Sequence, residues 1–472
     1  MVQALANTLW ALARLGYPAS EPVLLDLSQQ LLAQTVKISA QDASSSIWAL
    51  ATLQQQQQQS QEAVAIGTAE LQQHVLQLLD KVAAPAVGRA NCHSLALALW
   101  GTAKLCEAVP QAQLQQLLEL CLQHSYAASA QDVSNILYAF AILQQQQQQQ
   151  QQGDAAATEP YFSSPQQGPL IRPLLQQQQA DVLLAAAAAR AGAAEPQAIA
   201  NSLWAVAKMG LQVPMDQLKA LVKPFTAFAL AGTASTQHLA NTLWALATMQ
   251  AGADTNHQQQ QQEVRECVPA RVVEVLLAAF RQQLQHSTTQ EVCSVLWAAA
   301  KLQYCLDCFD QQLLVDHALG KPGVLLATTD SSISNSRVPN PKQQQQQVQL
   351  EPQQAANVLW AISTMHQLQK QQQQQQQQAD NTELQQLPQQ PVLLLLPPLQ
   401  QQLQQLLSFV LGELHKSRDQ EVVSSLWAVA RLEPCVLPDG LRSQQMLAAL
   451  ADRVGTMNMQ VRGGLAFTQW AS

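Results

Sequence analysis

Apolar residues return along this chain at helical spacing around a single aromatic residue. With that aromatic set at position zero, apolar side chains fall at −5, −1, +2, +3 and +5 in QALANTLWALARLG around Trp10, QAIANSLWAVAKMG around Trp204 and QHLANTLWALATM around Trp244, the pattern of an amphipathic helix. The string returns as QDASSSIWALATL around Trp48, QEVCSVLWAAAKL around Trp297, QQAANVLWAISTM around Trp360 and QEVVSSLWAVARL around Trp427. Tyr138 takes the aromatic place in QDVSNILYAFAIL, and Trp100 heads the most degenerate copy. Nine copies of roughly 38 residues account for about 342 of the 472 positions and leave about 130 for insertions. The chain is therefore read first as a repeat array.

The ends of the helix are written in the same register. Nine positions before the aromatic stand Ser39, Asn91, Ser129, Ser235 and Thr288, whose side-chain oxygens accept from first-turn amides that lack an intrahelical partner. Thr288 with Glu291 has the capping-box spacing. Pro196 and Pro352 fall on the first helical position, where a missing N–H costs no bond. Gly16 and Gly210, six positions after the aromatic, mark the C-terminal cap. A second helix follows in PVLLDLSQQLLAQTV from Pro22, QAQLQQLLELCLQH from Gln111, PARVVEVLLAAFRQQLQH from Pro269 and LQQQLQQLLSFVLGELHK from Leu399. One helical hairpin cannot bury its own apolar stripe, so the hairpins must stack. The expected fold is all-α: an α-solenoid of about nine helical-hairpin repeats of 38–40 residues, with disordered glutamine-rich insertions.

Those insertions divide the chain. Repeats one to four are expected in 1–143, a Gln/Pro/Ser insert in 144–180, central repeats in 181–320, a disordered insert in 321–350, and C-terminal repeats in 351–472 interrupted by glutamine-rich 367–390. The runs Gln54–Gln59, Gln144–Gln152, Gln258–Gln262 and Gln371–Gln378 sit between the two helices of a hairpin, where longer loops cost little because closure entropy grows only logarithmically. Gly153–Pro173 and Leu325–Gln347 are expected to be disordered. The glutamine runs are read as tolerated expansion in preference to a self-association device.

One face of the first helix is left over. At 100° per residue, the glutamine at −7 falls at about 20° from the aromatic, position +4 at about 40° and position −3 at about 60°. Glutamine stands at −7 in eight copies, with His93 the exception. Position −3 holds Asn7, Ser45, Asn135, Asn201, Asn241, Ser294, Asn357 and Ser424, with Leu97 in the Trp100 copy. Position +4 holds Arg14, Lys104, Lys208, Lys301 and Arg431, and Thr52, Ile142, Thr248 or Thr364 elsewhere. The aromatic lies between this polar stripe and the apolar side. Its favoured reading is a packed wedge, since burying a tryptophan is worth up to about 4–6 kcal/mol; an exposed platform for a nucleotide base is the other. For the amides, a ladder satisfying buried backbone groups competes with ligand recognition. The cations must reach solvent. There they complement helix C-termini, and a regular row of them beside amides also suits a phosphate backbone and base edges.

Composition narrows the choice of function. Charged residues make up 12% and apolar residues 47%, so a large core is available and a charged-tail architecture is excluded. The net charge of −8 argues against a broadly basic nucleic-acid binder and leaves room only for a localised positive surface. Eight scattered cysteines suit a reducing compartment better than a disulfide scaffold. The apolar run Pro391–Leu399 is broken by Pro397 and Pro398 and is too short to cross a bilayer. Met1 precedes the first repeat's Gln3 by two residues, so no targeting peptide is expected within this stretch.

The strings ANTLWALARLG, ANSLWAVAKMG and ANTLWALATM, at intervals of 38 to 40 residues where uninterrupted, resemble the octotricopeptide repeat proteins of green algae, relatives of the repeat part of FAST-kinase-like and RAP-domain proteins. The likeness covers most of the chain. It implies sequence-selective binding of single-stranded RNA in an organelle, the chloroplast or alternatively the mitochondrion, where such proteins stabilise, process or activate translation of transcripts, with other ribonucleoprotein components as further partners. The candidate RNA-binding stripe is then Asn7, Arg14, Ser45, Lys104, Asn135, Asn201, Lys208, Asn241, Ser294, Lys301, Asn357, Ser424 and Arg431. No RAP domain is legible near MNMQVRGGLAFTQWAS, and Trp470 falls outside the repeat register because Gly463 stands where glutamine belongs.

Catalytic chemistry finds no support. Cys305 and Cys308 form a C-x-x-C with His317 nearby, but no second ligand pair follows at zinc-site spacing. Cys293 occupies a small packing position, and His93 is read as a polar substitute for glutamine. G-x-S-x-G, Walker and H-E-x-x-H strings are absent. No enzyme activity, cofactor, metal or membrane insertion is expected. An armadillo or HEAT-like protein-binding scaffold is the alternative, favoured by the acidic charge.

Overall fold

The computed structural model describes residues 2–17, 19–34, 37–59, 69–84, 90–106, 109–157, 174–251, 268–320, 350–380 and 397–413, together with 421, 424, 425, 427, 428, 431 and 432. Among these residues there are sixteen α-helices, three short 3-10 turns and no strand. The described residues fall into two compact units, one up to Ala234 and one from Ser235.

The first unit holds α1 (Val2–Leu15), α2 (Glu21–Leu32), α3 (Ala40–Gln59), α4 (Ala69–Ala83), α5 (Cys92–Leu105), α6 (Gln111–His124), α7 (Ala130–Ala157), α8 (Gln177–Arg190), α9 (Pro196–Met209) and α10 (Met215–Leu230). The odd-numbered helices carry the aromatics and pack in order, α1 on α3, α3 on α5, α5 on α7 and α7 on α9. The even-numbered helices form a second layer in the same order, and each packs on the odd helix before it. The second unit holds α11 (Thr236–Ala251), α12 (Ala270–Gln282), α13 (Thr289–Lys301), α14 (Cys308–Ala318), α15 (Pro352–Asp380) and α16 (Pro397–Gly412). There α11, α13 and α15 pack in sequence, with α12, α14 and α16 as their respective partners. The described residues around Trp427 are helical.

The capping chemistry accounts for where these helices begin. Asn91 Oδ1 accepts from the Ser94 amide at 2.8 Å, and the Thr288–Glu291 capping box closes in both directions. Structure extends the device to copies where only the first residue of the pair was evident. The Ser39 and Ser129 hydroxyls donate to Asp42 and Asp132 at 2.6 and 2.7 Å, and both serines accept the amide three residues on at 3.1 Å. His238 pairs with Ser235 in the same way, its ring Nδ1 facing the Ser235 amide at 3.3 Å. Gly16 and Gly210 take φ of +63° and +68°, the left-handed conformation of a helix C-terminal cap.

Once begun, an aromatic-bearing helix inside a row is enclosed by its two neighbours and its own partner, as α5 is by α3, α7 and α6. In α5, Leu95, Ala96, Ala98, Leu99 and Ala103 are all buried. The closest approach is at Gly101, one residue after Trp100, where a Cβ would stand 2.7 Å from Ile47 Cγ2 and 2.9 Å from its carbonyl oxygen. The other copies carry alanine there. Glycine lets α5 settle directly on the backbone of α3.

The glutamine runs do not behave as loops. Gln54–Gln59, Gln144–Gln152 and Gln371–Gln378 continue α3, α7 and α15, so 144–157 and 367–380 are helix, and 177–180 already belongs to α8. Glutamine has good helix propensity, and a helix already nucleated adds residues without a further nucleation cost. The first glutamines of each run are also bonded. Gln56 Nε2 donates to the Ala13 carbonyl at 2.9 Å and Gln146 Nε2 to the Ala103 carbonyl at 3.1 Å, each joining the last turn of the preceding aromatic-bearing helix. Gln369, just before the third run, donates from Nε2 to the carbonyl of Leu306 in the loop before α14 at 3.2 Å. The run 258–262, the insert 321–349 and residues 158–173 and 381–390 lie outside the described residues.

Two stability outcomes follow from these contacts. Gly101→Ala should cost about 1–3 kcal/mol by overpacking against Ile47, read by chemical denaturation; a variant as stable as wild type contradicts the close approach. The double change Gln56→Met and Gln146→Met keeps side-chain bulk and removes both donors. It should lower the melting midpoint by about 4–8 °C, at roughly 1 kcal/mol per bond, and Lys at both positions should restore part of it by again offering a donor.

Candidate nucleic-acid interface

What each enclosed helix leaves to solvent is a narrow seam. In α13, Val292, Cys293, Val295, Leu296, Ala298, Ala299 and Ala300 are buried, while Gln290 is exposed and Ser294, Trp297 and Lys301 are half-buried. The open positions are −7, −3, 0 and +4. In the first unit Gln3, Gln41 and Gln197 at −7 are exposed, Ser45, Asn135 and Asn201 at −3 are half-buried, and Arg14, Lys104 and Lys208 at +4 are exposed. In the second unit Asn241, Asn357 and Ser424 are half-buried at −3, and Arg431 is half-buried at +4. Asn7, on the first helix, is fully open. The thirteen stripe residues thus share one register face within the unit that holds each of them.

The aromatics are neither of the two things expected. Trp10, on the first helix, is 48% exposed and the others are half-buried. They form a ladder instead: Tyr138 and Trp204 stand with ring centroids 5.2 Å apart in the first unit, and Trp244–Trp297, Trp297–Trp360 and Trp360–Trp427 at 6.4, 6.5 and 5.9 Å in the second. These separations are those of aromatic pairs that gain beyond simple burial. The signal missed in the sequence was that the aromatic lies only about 60° from the whole polar stripe. A ring so placed meets its counterpart on the next helix in a stacked or tilted pair at the border of the core.

The cations rest on this ladder. Arg14 Cζ lies 5.7 Å from the Trp10 centroid, and Arg431 Cζ 4.0 Å from that of Trp427. Lys104 Nζ sits 5.2 Å from the Tyr138 ring and donates to its hydroxyl at 3.1 Å. Lys301 Nζ lies 5.7 Å from Trp297 and 4.7 Å from Trp360. Partial burial lowers the Lys301 pKa from its ordinary 10.5 and lowers that of Arg431 as well. Cation–π contact holds these groups at the seam.

Amides gather at the other end of the stripe. Between the N-terminal halves of α1 and α3 is a concavity of about 540 Å3, lined among others by Gln3, Asn7, Gln41, Ser45 and Lys37. In α7, Gln131 Nε2 donates to Asn135 Oδ1 at 2.8 Å, linking −7 to −3 along one helix. His93, which replaces the repeat glutamine, pairs instead with the capping carboxylate Asp132 of the next copy at 2.9 Å. The stripe is therefore bipolar, with the carboxylates Asp42, Asp132 and Glu291 at helix N-termini and cations at C-termini.

His317 faces Ser287, its Nε2 3.2 Å from the hydroxyl and 3.1 Å from the carbonyl oxygen. Burial pushes the Cys305 and Cys308 thiols above their usual pKa and Cys293 up to about 12. Among the described residues no group of three His, Cys, Asp or Glu is placed to hold a metal, and no helix is long and apolar enough to cross a membrane. No family model and no curated protein matches the chain.

One pH dependence follows. Burial lowers the pKa of His238 from 6.5, against a smaller opposing pull from Glu291, and burial with Lys370 lowers that of His366. A group depressed in the folded state contributes stability above its unfolded pKa that is lost as pH falls through the folded value. The second unit should therefore lose stability as pH drops below about 6.5. His238→Gln, the residue type at the same position in the Trp360 copy, keeps the cap and should flatten that dependence in melting curves between pH 7 and 5.

Proposed function

We propose that the chain is a nine-copy α-solenoid that binds single-stranded RNA along the seam of its aromatic-bearing helices. In the octotricopeptide reading it acts in a chloroplast, or alternatively a mitochondrial, ribonucleoprotein on the stability, processing or translation of a transcript. The proposed activity is binding, without catalysis. The observation that carries it is the shared face: amide and hydroxyl groups at −7 and −3 stand beside cations at +4, repeated from helix to helix within each unit.

Each part has a matching chemistry. A side-chain amide offers a donor and an acceptor, as does a base edge. The side chains of Gln3, Asn7 and Gln41, facing the concavity between α1 and α3, make no hydrogen bond to any described residue. The ring-held cations supply the positive edge that phosphates require. The rings contribute a pre-formed support for those cations, since their faces are already engaged with one another.

Recovery and sequencing of RNA bound to the purified protein, followed by titration against salt, tests this. The logarithm of affinity should fall linearly with the logarithm of salt, and Lys208→Ala and Lys301→Ala should each flatten the slope by about 0.7. An unchanged slope in both variants overturns the stripe as the contact surface. The net charge of −8 favours a protein-binding scaffold as the second reading; recovery of a stoichiometric protein partner with no enriched RNA would establish that reading instead.

A further inference from the structure

Position +4 follows a strict order along the array. Arg14, Lys104, Lys208, Lys301 and Arg431 stand in the first, third, fifth, seventh and ninth copies, and a threonine or isoleucine in each of the four between. Of all placements of five cations among nine copies, this one alone keeps every two of them apart.

The contacts supply a physical reason. Lys301 lies over the ring of its own copy and more closely over that of the next, and Lys104 reaches forward to the ring and hydroxyl of Tyr138. One lysine serves the following ring, so the following copy has no room for its own. In two of the intervening copies the +4 side chain bonds to its own helix: the Thr364 hydroxyl donates to the Trp360 carbonyl at 2.8 Å, and that of Thr52, which follows Arg14, to the Trp48 carbonyl at 2.9 Å; the Thr248 hydroxyl is buried without a partner. A cation in every copy would set two charges against one ring, about 8–10 Å apart at ordinary helix spacing. Alternation places them about 16–20 Å apart, about two Debye lengths of about 8 Å instead of about one.

We infer that a nucleic-acid strand on either unit's stripe is held through its phosphates at every second repeat, so that the binding unit is a pair of repeats. This rests on the RNA reading above. Amide and hydroxyl groups at −7 and −3 are offered by nearly every copy, whereas charge is offered by alternate ones. With one nucleotide per helical repeat, every second phosphate meets a cation and the phosphate between faces solvent.

The test uses the full chain and three fluorescent uridine 20-mers: unmodified, neutralised by methylphosphonate at every second linkage, and neutralised at the same number of linkages in alternating blocks of two. Binding in any register lets the singly alternating oligonucleotide keep its charges on the cations, so it should bind within about twofold of the unmodified strand. The blocked pattern cannot match all of them and should bind at least fivefold more weakly. Thr52→Lys and Thr364→Lys should leave the salt slope unchanged, while Arg14→Ala and Lys104→Ala each flatten it by about 0.7. Equal weakening by both neutralised patterns, or a slope steepened by about 0.7 in each Lys variant, overturns the paired unit while leaving RNA binding in place. Failure of the unmodified strand to bind at low salt overturns both.

Discussion

Enclosure of the aromatic-bearing helix governs everything else in the molecule. With neighbours on two sides and its partner helix on a third, a helix inside a row, such as α5, can carry only small and apolar side chains over most of its circumference. The consequence is the inverse of an ordinary surface helix: polar groups are confined to a seam at −7, −3, 0 and +4, spaced 4, 3 and 4. Side chains with hydrogen-bonding capacity stand on that seam, at a cap, or donate back to their own helix as Ser202 does to Ala198, while the small hydroxyls of Thr102, Ser134 and Thr242 are buried without a partner. The stripe is thus a by-product of stacking. Function can then be written on it at no cost to the core.

Much of this was legible in the string itself because capping and periodicity are local. Asn91, Thr288, Pro196 and Gly210 act through residues within four positions, and sequence displays such partners directly. The wider use of the −9/−6 pair is also written in the string, in Ser39 with Asp42 and Ser129 with Asp132, where aspartate takes the place of the capping-box glutamate. The glutamine runs misled for a different reason. Low complexity and recurrence at one hairpin edge argue for a loop, but whether a run is helical depends on what precedes it. Here a well-capped helix leads into each described run, and the first glutamines find carbonyl acceptors 43 residues back, at Ala13 and Ala103. Such long-range bonds leave no local trace.

The ladder of rings resolves the tension between the two expectations for the aromatic. A tryptophan at the boundary of core and seam is shielded by the next copy's ring, so it contributes packing while remaining in contact with solvent-facing charge. Because Lys301 spans two rings, the cation and the aromatic are one device rather than two. That coupling explains why lysine and arginine both serve at +4: each can lie over a ring, and neither needs a carboxylate partner.

A chain with net charge −8 can still present a positive edge, because its charges are sorted along each helix. The capping carboxylates sit at −6 and the cations at +4, ten residues or about 15 Å apart along the axis. That is nearly two Debye lengths at physiological salt. The carboxylates are further tied down by the amides and hydroxyls they cap, which spreads their charge into the helix N-terminus. A strand lying along the C-terminal edge would therefore meet the field of the cations first, with the amides and hydroxyls at −3 between the two charged rows set to face its bases. Overall acidity is the wrong measure for such a surface; the sign at each end of the stacked helices is the relevant one.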